Sequence, residues 1–374
     1  MRKKISVFGA TGVVGRKSVN AASLLGYEIV AITGHKNHAE LIRQAHEYCP
    51  RYICCTDIEC YRKVKSEVTG SEILPYNEVV NIAKLDVDCC VMAMAGAVSL
   101  APTFACLGHA KRLAIASKEA ILLGGKILID SARSGHTEII PLDSEHNAIF
   151  RCISHDHRDV IAEITLTASG GVFLNYTENA LTNVTLSDAL RNPNWIMGAK
   201  VTVDSATLIN KAIEIIEASL LFELPIDTVK YVIHPESIIH GIVRFRDDSY
   251  KALLSQPDMM IPIMYAVSYP ELLRSSLTAP LNFTDIEKLT FRRPQAWQER
   301  NVNLAYNVFT EGKVVAFSVA NEIAVSKFLN GNITFCKIYD LVARALDTCE
   351  RELVSSYCDI AELIHTYTAR FTDM

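Results

Sequence analysis

The sequence predicts an α/β protein: an N-terminal parallel sheet with helices on both faces, a central α+β segment, and a C-terminal helical bundle. Three observations carry this. Strand-like and helix-like runs alternate from Ile5 to Ile153, the pattern of βαβ units and a parallel sheet. A glycine-rich turn joins the first strand to the first helix. From Trp297 onward the apolar spacing is helical,.

The first strand, Ile5-Ser-Val-Phe-Gly9, runs into Gly9-Ala-Thr-Gly-Val-Val-Gly15, and a helix is expected from Arg16 to Leu25. Strand, glycine turn and helix make a dinucleotide phosphate cradle, the opening of a Rossmann-like domain. Bare backbone approaches the pyrophosphate, and the helix N-terminus offers N–H groups and the positive end of its dipole. A second strand, Glu28 to Thr33, ends at Gly34-His-Lys-Asn37. An acidic residue there would hold the ribose 2′-hydroxyl of NAD. Lys36 suits a 2′-phosphate instead, so the expected cofactor is NADPH. Tyr52 to Thr56, Val87 to Met94 and Arg112 to Ala116 read as further strands. Ser117-Lys118-Glu119 follows the last of these, at the sheet edge where ligands bind.

The strand Glu138 to Leu142 turns into a helix at Asp143-Ser-Glu145. Two carboxylates this close repel, and a hard divalent cation relieves the repulsion with the oxygen ligands that Mg²⁺ or Mn²⁺ prefers. A helix N-cap uses the same residue types. Val160 to Ala168 reads as a strand ending in Ser169-Gly-Gly171, whose hydroxyl and bare N–H groups suit an oxyanion; a plain tight turn is the alternative. In Arg191-Asn-Pro-Asn-Trp-Ile-Met-Gly198, Pro and Gly bracket apolar residues, as in a packing anchor or a lid that excludes water. Within Val203 to Ala218 one helix is expected, with Asp204 and Ser205 as its caps, Asn210, Glu214 and Glu217 on its polar face and Lys211 one turn from Glu214,. Such a pair is ordinarily a solvated surface pair. Beside a capping Ser205, the same residues would grip a phosphate and add a third metal oxygen.

Tyr231 to Ser249 reads as strands joined by the Asp247-Asp248 turn, suited to a dimer edge. Gln256 to Pro262 reads as irregular and Pro270 to Pro294 as a connector. The expected divisions are a cofactor domain over 1–142, a catalytic, metal and dimerisation domain over 143–270, a linker over 271–295 and a helical domain over 296–374.

With 374 residues, 49% hydrophobic and 21% charged, the chain is an ordinary globular protein with a substantial core,. A net charge of −5 argues against a nucleic-acid surface or a polybasic membrane face,. No apolar run approaches the length of a membrane span. The 11 cysteines are an odd number without a C-x-x-C pair. Cys54-Cys55 and Cys89-Cys90 sit in apolar runs and read as reduced core thiols of a cytoplasmic protein. Met1-Arg-Lys-Lys looks like the start of a signal peptide, but the glycine turn follows too soon for its apolar region.

These residues resemble the 1-deoxy-D-xylulose 5-phosphate reductoisomerase family. The resemblance runs from the glycine turn to Asn321-Glu322. It is most specific at Leu142 to Phe150, Ala168 to Gly171, Pro193-Asn-Trp195 with Met197-Gly198, Val203 to Thr207 with Asn210-Lys211, His234 to His240 and Gln256-Pro-Asp258. It implies an NADPH- and metal-dependent isomerisation and reduction of a sugar phosphate in isoprenoid precursor synthesis, by a cytoplasmic homodimer. It implies that Asp143, Glu145 and Glu214 hold Mg²⁺, Mn²⁺ or Co²⁺ and, with Lys118, are catalytic. It implies a substrate set of Lys118, Ser144, Glu145, Ser169, Asn192, Trp195, Ser205, Asn210, Lys211 and Glu214. The cofactor set is Thr11, Gly12, Val13, Val14, His35, Lys36, Asn37, Ser117, Glu119 and Gly198, and Trp195 is the flap tryptophan.

Four positions depart from the family pattern: Asn192 replaces a flap His, Ser117 an Asn, Val172 a Pro and His35 a Gly. Asn192 cannot carry a proton near neutral pH. Two alternatives follow. One is an impaired homologue that only binds NADPH or a sugar phosphate. The other is a semialdehyde dehydrogenase, which opens with a similar glycine turn and needs a nucleophilic cysteine, Cys106 being the least excluded.

Overall fold

The computed structural model describes residues 2–153, 158–191, 198–273 and 276–374. The chain forms two compact units. One comprises Met1–Ala120, Leu128–Asn147 and Asp258–Ala279; the other comprises Ile121–Ile127, Ala148–Pro257 and Pro280–Met374.

The first unit holds seven strands: β1 (Lys4–Phe8), β2 (Glu28–Gly34), β3 (Tyr52–Cys55), β4 (Glu72–Pro75), β5 (Val87–Met92), β6 (Ala110–Ile115) and β7 (Glu138–Pro141). Their order is β4-β3-β2-β1-β5-β6-β7, and every pairing is parallel. Ile5, Val7 and Phe8 of β1 are fully buried, as expected of a central strand covered on both faces. The order reverses at β1, which pairs with β2 on one side and β5 on the other. Ligands bind outside the carboxyl ends of strands at such a switch point. Strand β4 has no sequence signal, being a short, half-buried edge strand that ends in Pro75.

The stretch around Pro262, expected to be irregular, is the helix Met260–Ser268. Pro262 stands in the first turn, where its missing N–H costs no hydrogen bond, and Asp258 Oδ1 accepts from Met260 N at 2.9 Å. The helix belongs to the first unit. Tyr27 donates its hydroxyl to the Val267 carbonyl at 2.8 Å. The buried Arg112 donates to the Tyr269 carbonyl and to the Tyr27 hydroxyl.

The second unit contains β8 (Ile161–Ala168), β9 (Val229–Ile233), β10 (Ile239–Phe245) and β11 (Tyr250–Leu254), in the order β11-β10-β8-β9. Only β8 and β9 run parallel. The Asp247-Asp248 turn joins β10 to β11, with Asp248 at φ 63°. Against the single helix expected after caps at Asp204 and Ser205, the chain forms two, Ala199–Thr207 and Ile209–Phe222, and both expected caps lie inside the first. Between them Leu208 adopts φ 58°. Leu208 is itself buried, so the apolar spacing runs through the break and conceals it. The second helix is buried on nearly every face, Lys211, Glu214 and Glu217 included.

Four helices complete this unit: Ala296–Glu311, Val314–Leu329, Lys337–Asp347 and Tyr357–Thr372. The segments therefore differ from those expected in two respects. The stretch after Asp258 returns to the first unit, and the C-terminal helices share a compact unit with residues 148–257. The physical reason is that apolar helix faces bury against whichever element is near in space, which local patterning does not reveal.

Candidate functional site

The glycine turn is built by close approach. A Cβ on Gly15 would lie 2.1 Å from the Gly9 carbonyl oxygen, and one on Gly9 would lie 2.5 Å from that of Ala93. Gly9 also has φ +80°. Gly12 precedes the helix Val13–Leu24 and offers no side-chain cap, so nothing in the cap competes for the first N–H groups, Val13 and Val14 among them. Thr11 packs at the end of β2: a Cβ on Gly34 would meet its methyl at 2.9 Å. His35, Lys36 and Asn37 are exposed there. Asn37 caps the helix His38–Tyr48 by accepting from Glu40 N at 3.1 Å, and His35 Nδ1 lies 3.0 Å from Thr56 Oγ1.

At the end of β6, Ser117 caps the helix Lys118–Ser134, accepting from Ala120 N at 3.4 Å. It is buried, with its hydroxyl 2.6 Å from that of Ser99. Glu119 is buried in the first turn. Lys118 donates to Asp143 Oδ2. The same oxygen lies 3.2 Å from His146 Nδ1, while Oδ1 accepts from Ser144 N at 3.1 Å. The Ser144 hydroxyl donates to Glu145 Oε2 at 2.5 Å. Burial raises the Asp143 carboxyl, but the Lys118 ammonium and the His146 ring outweigh it and hold it well below the usual carboxylate range,. His146 was missed from sequence, although an Asp followed by a His three positions on was its signal.

The second unit brings Ser169, Ser205, Asn210, Lys211 and Glu214 into one region. Gly170 and Gly171 both have positive φ. A Cβ on Gly171 would lie 2.5 Å from the Ser205 carbonyl oxygen, so the turn lies directly on the helix Ala199–Thr207. Ser169 Oγ faces Gly171 N at 3.4 Å. Past the Leu208 break, Lys211 donates to Glu214 Oε2 and to the Thr167 carbonyl, and Asn210 Nδ2 donates to Glu214 Oε1. Far from a solvated surface pair, Lys211 is 3% and Glu214 1% exposed. Asn210 Oδ1 is buried and has no partner among the described residues. Gly198 precedes the helix Ala199–Thr207 as an uncapped N-terminus. Asn192 and Trp195 of the flap lie outside the described residues.

Cys106 is fully buried and its thiol points at the Thr103 carbonyl, 3.1 Å away. An enclosed thiol has no access to a substrate, so the cysteine that the semialdehyde dehydrogenase reading named does not support that reading.

Three family models match the chain: 1-deoxy-D-xylulose 5-phosphate reductoisomerase over residues 5–125, and two C-terminal domains of the same enzyme over 139–222 and 254–369. The 1-deoxy-D-xylulose 5-phosphate reductoisomerase of Wolbachia pipientis wMel is 40% identical, with 96% of this chain and 93% of the relative aligned. That of Geobacillus sp. (strain WCH70) is 39% identical, with 93% of each aligned. A crystal structure of DOX-P reductoisomerase in complex with NADPH, fosmidomycin and magnesium superposes with a TM-score of 0.92 at 32% identity, over 99% of this chain and 97% of the other. The Zymomonas mobilis enzyme in complex with NADPH also gives 0.92, at 30% identity, over 100% of this chain and 99% of the other. With family models matching along most of its length and a relative 40% identical over 96% of it, the chain belongs to the 1-deoxy-D-xylulose 5-phosphate reductoisomerase family.

Proposed function

We propose that this chain is the NADPH- and divalent-metal-dependent enzyme that isomerises and reduces 1-deoxy-D-xylulose 5-phosphate to 2-C-methyl-D-erythritol 4-phosphate, on the route to isoprenoid precursors. The carrying observation is the second unit's cradle in a chain of this family. Beside a buried Lys–Glu pair and a glycine turn lying on Ser205 stands the Asn210 amide oxygen, which has no partner among the described residues and which a hydroxyl of a polar ligand would satisfy.

The related crystal structures hold NADPH and magnesium, and the same groups are assigned here. Thr11, Gly12, Val13 and Val14 fit the pyrophosphate, because the turn is bare backbone before an uncapped helix,. Lys36, exposed at the end of β2 beside His35 and Asn37, fits the 2′-phosphate. Asp143, Glu145 and Glu214 are assigned to the cation: all are carboxylates, the donor type that hard divalent ions take. When bound, the cation polarises the substrate's carbonyl and hydroxyl oxygens and offsets developing negative charge. NADPH supplies the hydride that reduces the rearranged aldehyde.

The chain's own residues position the substrate. Ser169, Ser205, Asn210 and Lys211 take its phosphate, replacing water with hydroxyl, amide and ammonium donors. Lys118 and Ser144 lie at the Asp143–Glu145 turn and orient the reacting oxygens. Asn192 and Trp195 are assigned to the flap that excludes water. Ser117 keeps the capping role that Asn would play equally well, so this departure does not argue for an impaired homologue. A homodimer is the assembly we assign, with the exposed edge strand β11 (Tyr250, Lys251, Ala252) as the pairing element,. The 11 free thiols suit the cytoplasm,.

The test is NADPH oxidation with 1-deoxy-D-xylulose 5-phosphate, with and without Mn²⁺. Metal-dependent turnover is expected. Binding of NADPH and substrate without turnover would replace this reading with that of a ligand-binding homologue.

A further inference from the structure

The C-terminal helices reach both walls of the cradle. On the helix Ala296–Glu311, Gln298 and Asn301 lie one turn apart and are buried. Gln298 Nε2 donates to the Gly170 carbonyl, inside the Ser-Gly-Gly turn, at 3.3 Å. Asn301 Nδ2 donates at 2.9 Å to the carbonyl of Thr207, the last residue before the left-handed Leu208. From the helix Val314–Leu329, Asn321 Nδ2 donates to Asp204 Oδ1 at 2.9 Å, and Asp204 Oδ2 holds Lys200 at 2.9 Å. One face of one helix thus ties the turn carrying Ser169 to the elbow that carries Ser205, Asn210 and Lys211. A second helix fixes that elbow from another side.

These contacts are weak as stability devices. Asn301 Oδ1 and Asn321 Oδ1 are buried without partners, and desolvating an unpaired carbonyl offsets most of what the single donated bond gains. What the bonds do supply is placement. They hold two segments that no sheet ladder joins, and several donors can meet one phosphate only if those segments keep their separation to about 0.5 Å.

We propose that Gln298, Asn301 and Asn321 are positioning residues for the substrate's phosphate, so that the C-terminal helices set sugar-phosphate affinity without touching the sugar phosphate. The inference rests on the assignment of Ser169, Ser205, Asn210 and Lys211 to that phosphate.

The experiment compares Gln298→Met and Asn301→Leu, which keep size and burial, with Ser205→Ala as a check on the assigned site. For each variant of the full chain one measures KM for the sugar phosphate, inhibition by inorganic phosphate, kcat, KM for NADPH and Tm. All three substitutions are expected to raise KM for the sugar phosphate and weaken phosphate inhibition about tenfold, the effect of one misplaced hydrogen bond. KM for NADPH should stay near the parent value, while Tm falls by only a few degrees because a carbonyl loses its donor. If Ser205→Ala shifts KM and neither helix variant does, the inference is overturned and the phosphate assignment stands. If Ser205→Ala moves nothing, the assignment fails and the inference with it. A parallel loss of Tm, kcat and NADPH affinity in the helix variants would mean a general structural role and also overturn the inference. Should Asn301→Leu fail to fold, Gln298→Met and Asn321→Leu decide the matter by the same readings.

Discussion

Lys211 and Glu214 form an ion pair one helical turn apart with almost no solvent around it, the lysine 3% and the glutamate 1% exposed. Each carboxylate oxygen of Glu214 already has a donor from its own helix, Asn210 on one and Lys211 on the other. A buried charge that loses its partner keeps its desolvation penalty, whereas removing both charges removes the penalty as well. Lys211→Met and Glu214→Gln are therefore each expected to lower unfolding free energy by about 3–5 kcal/mol. The double variant should recover most of that loss. Denaturant unfolding of the three proteins measures this, and single-site losses below about 1 kcal/mol would return the pair to the solvated class. All three should lose turnover, because the same two groups are assigned to the substrate and the cation.

Glycines 12 and 15 separate two demands of the cofactor turn. At Gly12, φ is −76°, and a Cβ would meet nothing closer than the Gly9 carbonyl oxygen at 3.4 Å. At Gly15 the same carbonyl lies 2.1 Å from the built Cβ. Gly12→Ala should leave Tm near that of the parent while raising the Kd for NADPH by about tenfold or more, since its methyl faces the space assigned to the pyrophosphate. Gly15→Ala should lower Tm by forcing the helix off the turn. Thermal melts with and without NADPH distinguish the two; equal NADPH affinity in Gly12→Ala and the parent would move the pyrophosphate elsewhere.

How much of this was readable in the chain depends on the range of the forces involved. The β1–turn–helix unit was, because the close approach of Gly15 to the Gly9 carbonyl and the positive φ of Gly9 are local demands that glycine meets,. The strand-to-helix turn at Asp143 was, because Asp, Ser and Glu at the end of an apolar run are the residue types that begin helices. The break at Leu208 was not: a buried leucine satisfies the apolar spacing whichever side of the break it serves. Nor was the burial of Lys211 and Glu214, since charged residues on a helix face normally mean solvent. Gln298 and Asn301 meet Gly170 and Thr207 across 128 and 94 residues of chain, and no periodicity reports a side chain reaching a carbonyl at that separation.

Glu145→Gln tests the cation assignment on the first unit. The substitution keeps shape but removes a negative charge and one anionic ligand. Mn²⁺ affinity, read by titration of the free protein, should fall by about tenfold or more, and turnover at limiting metal should fall with it. Excess metal should recover part of the turnover. Unchanged Mn²⁺ binding would take Glu145 out of the ligand set.

The Asp258–Lys17 pair makes a prediction about pH. Asp258 accepts from Lys17 Nζ at 2.5 Å and from Met260 N at 2.9 Å. Burial pushes its carboxyl up, but those two bonds together win and leave it below the ordinary aspartate value of 3.8. A carboxyl whose folded pKa is depressed releases its proton more readily in the folded state. Its contribution to stability is thus fully present above 3.8 and fades as pH falls through the lower, folded value,. Asp258→Asn should therefore destabilise the protein at neutral pH and converge on the parent in strong acid. The two curves of Tm against pH should close from about pH 4 downward. Both groups are about a third exposed, so added salt should narrow the gap at neutral pH. A constant offset at every pH would assign the effect of the substitution to packing at the start of the helix Met260–Ser268 instead of to charge.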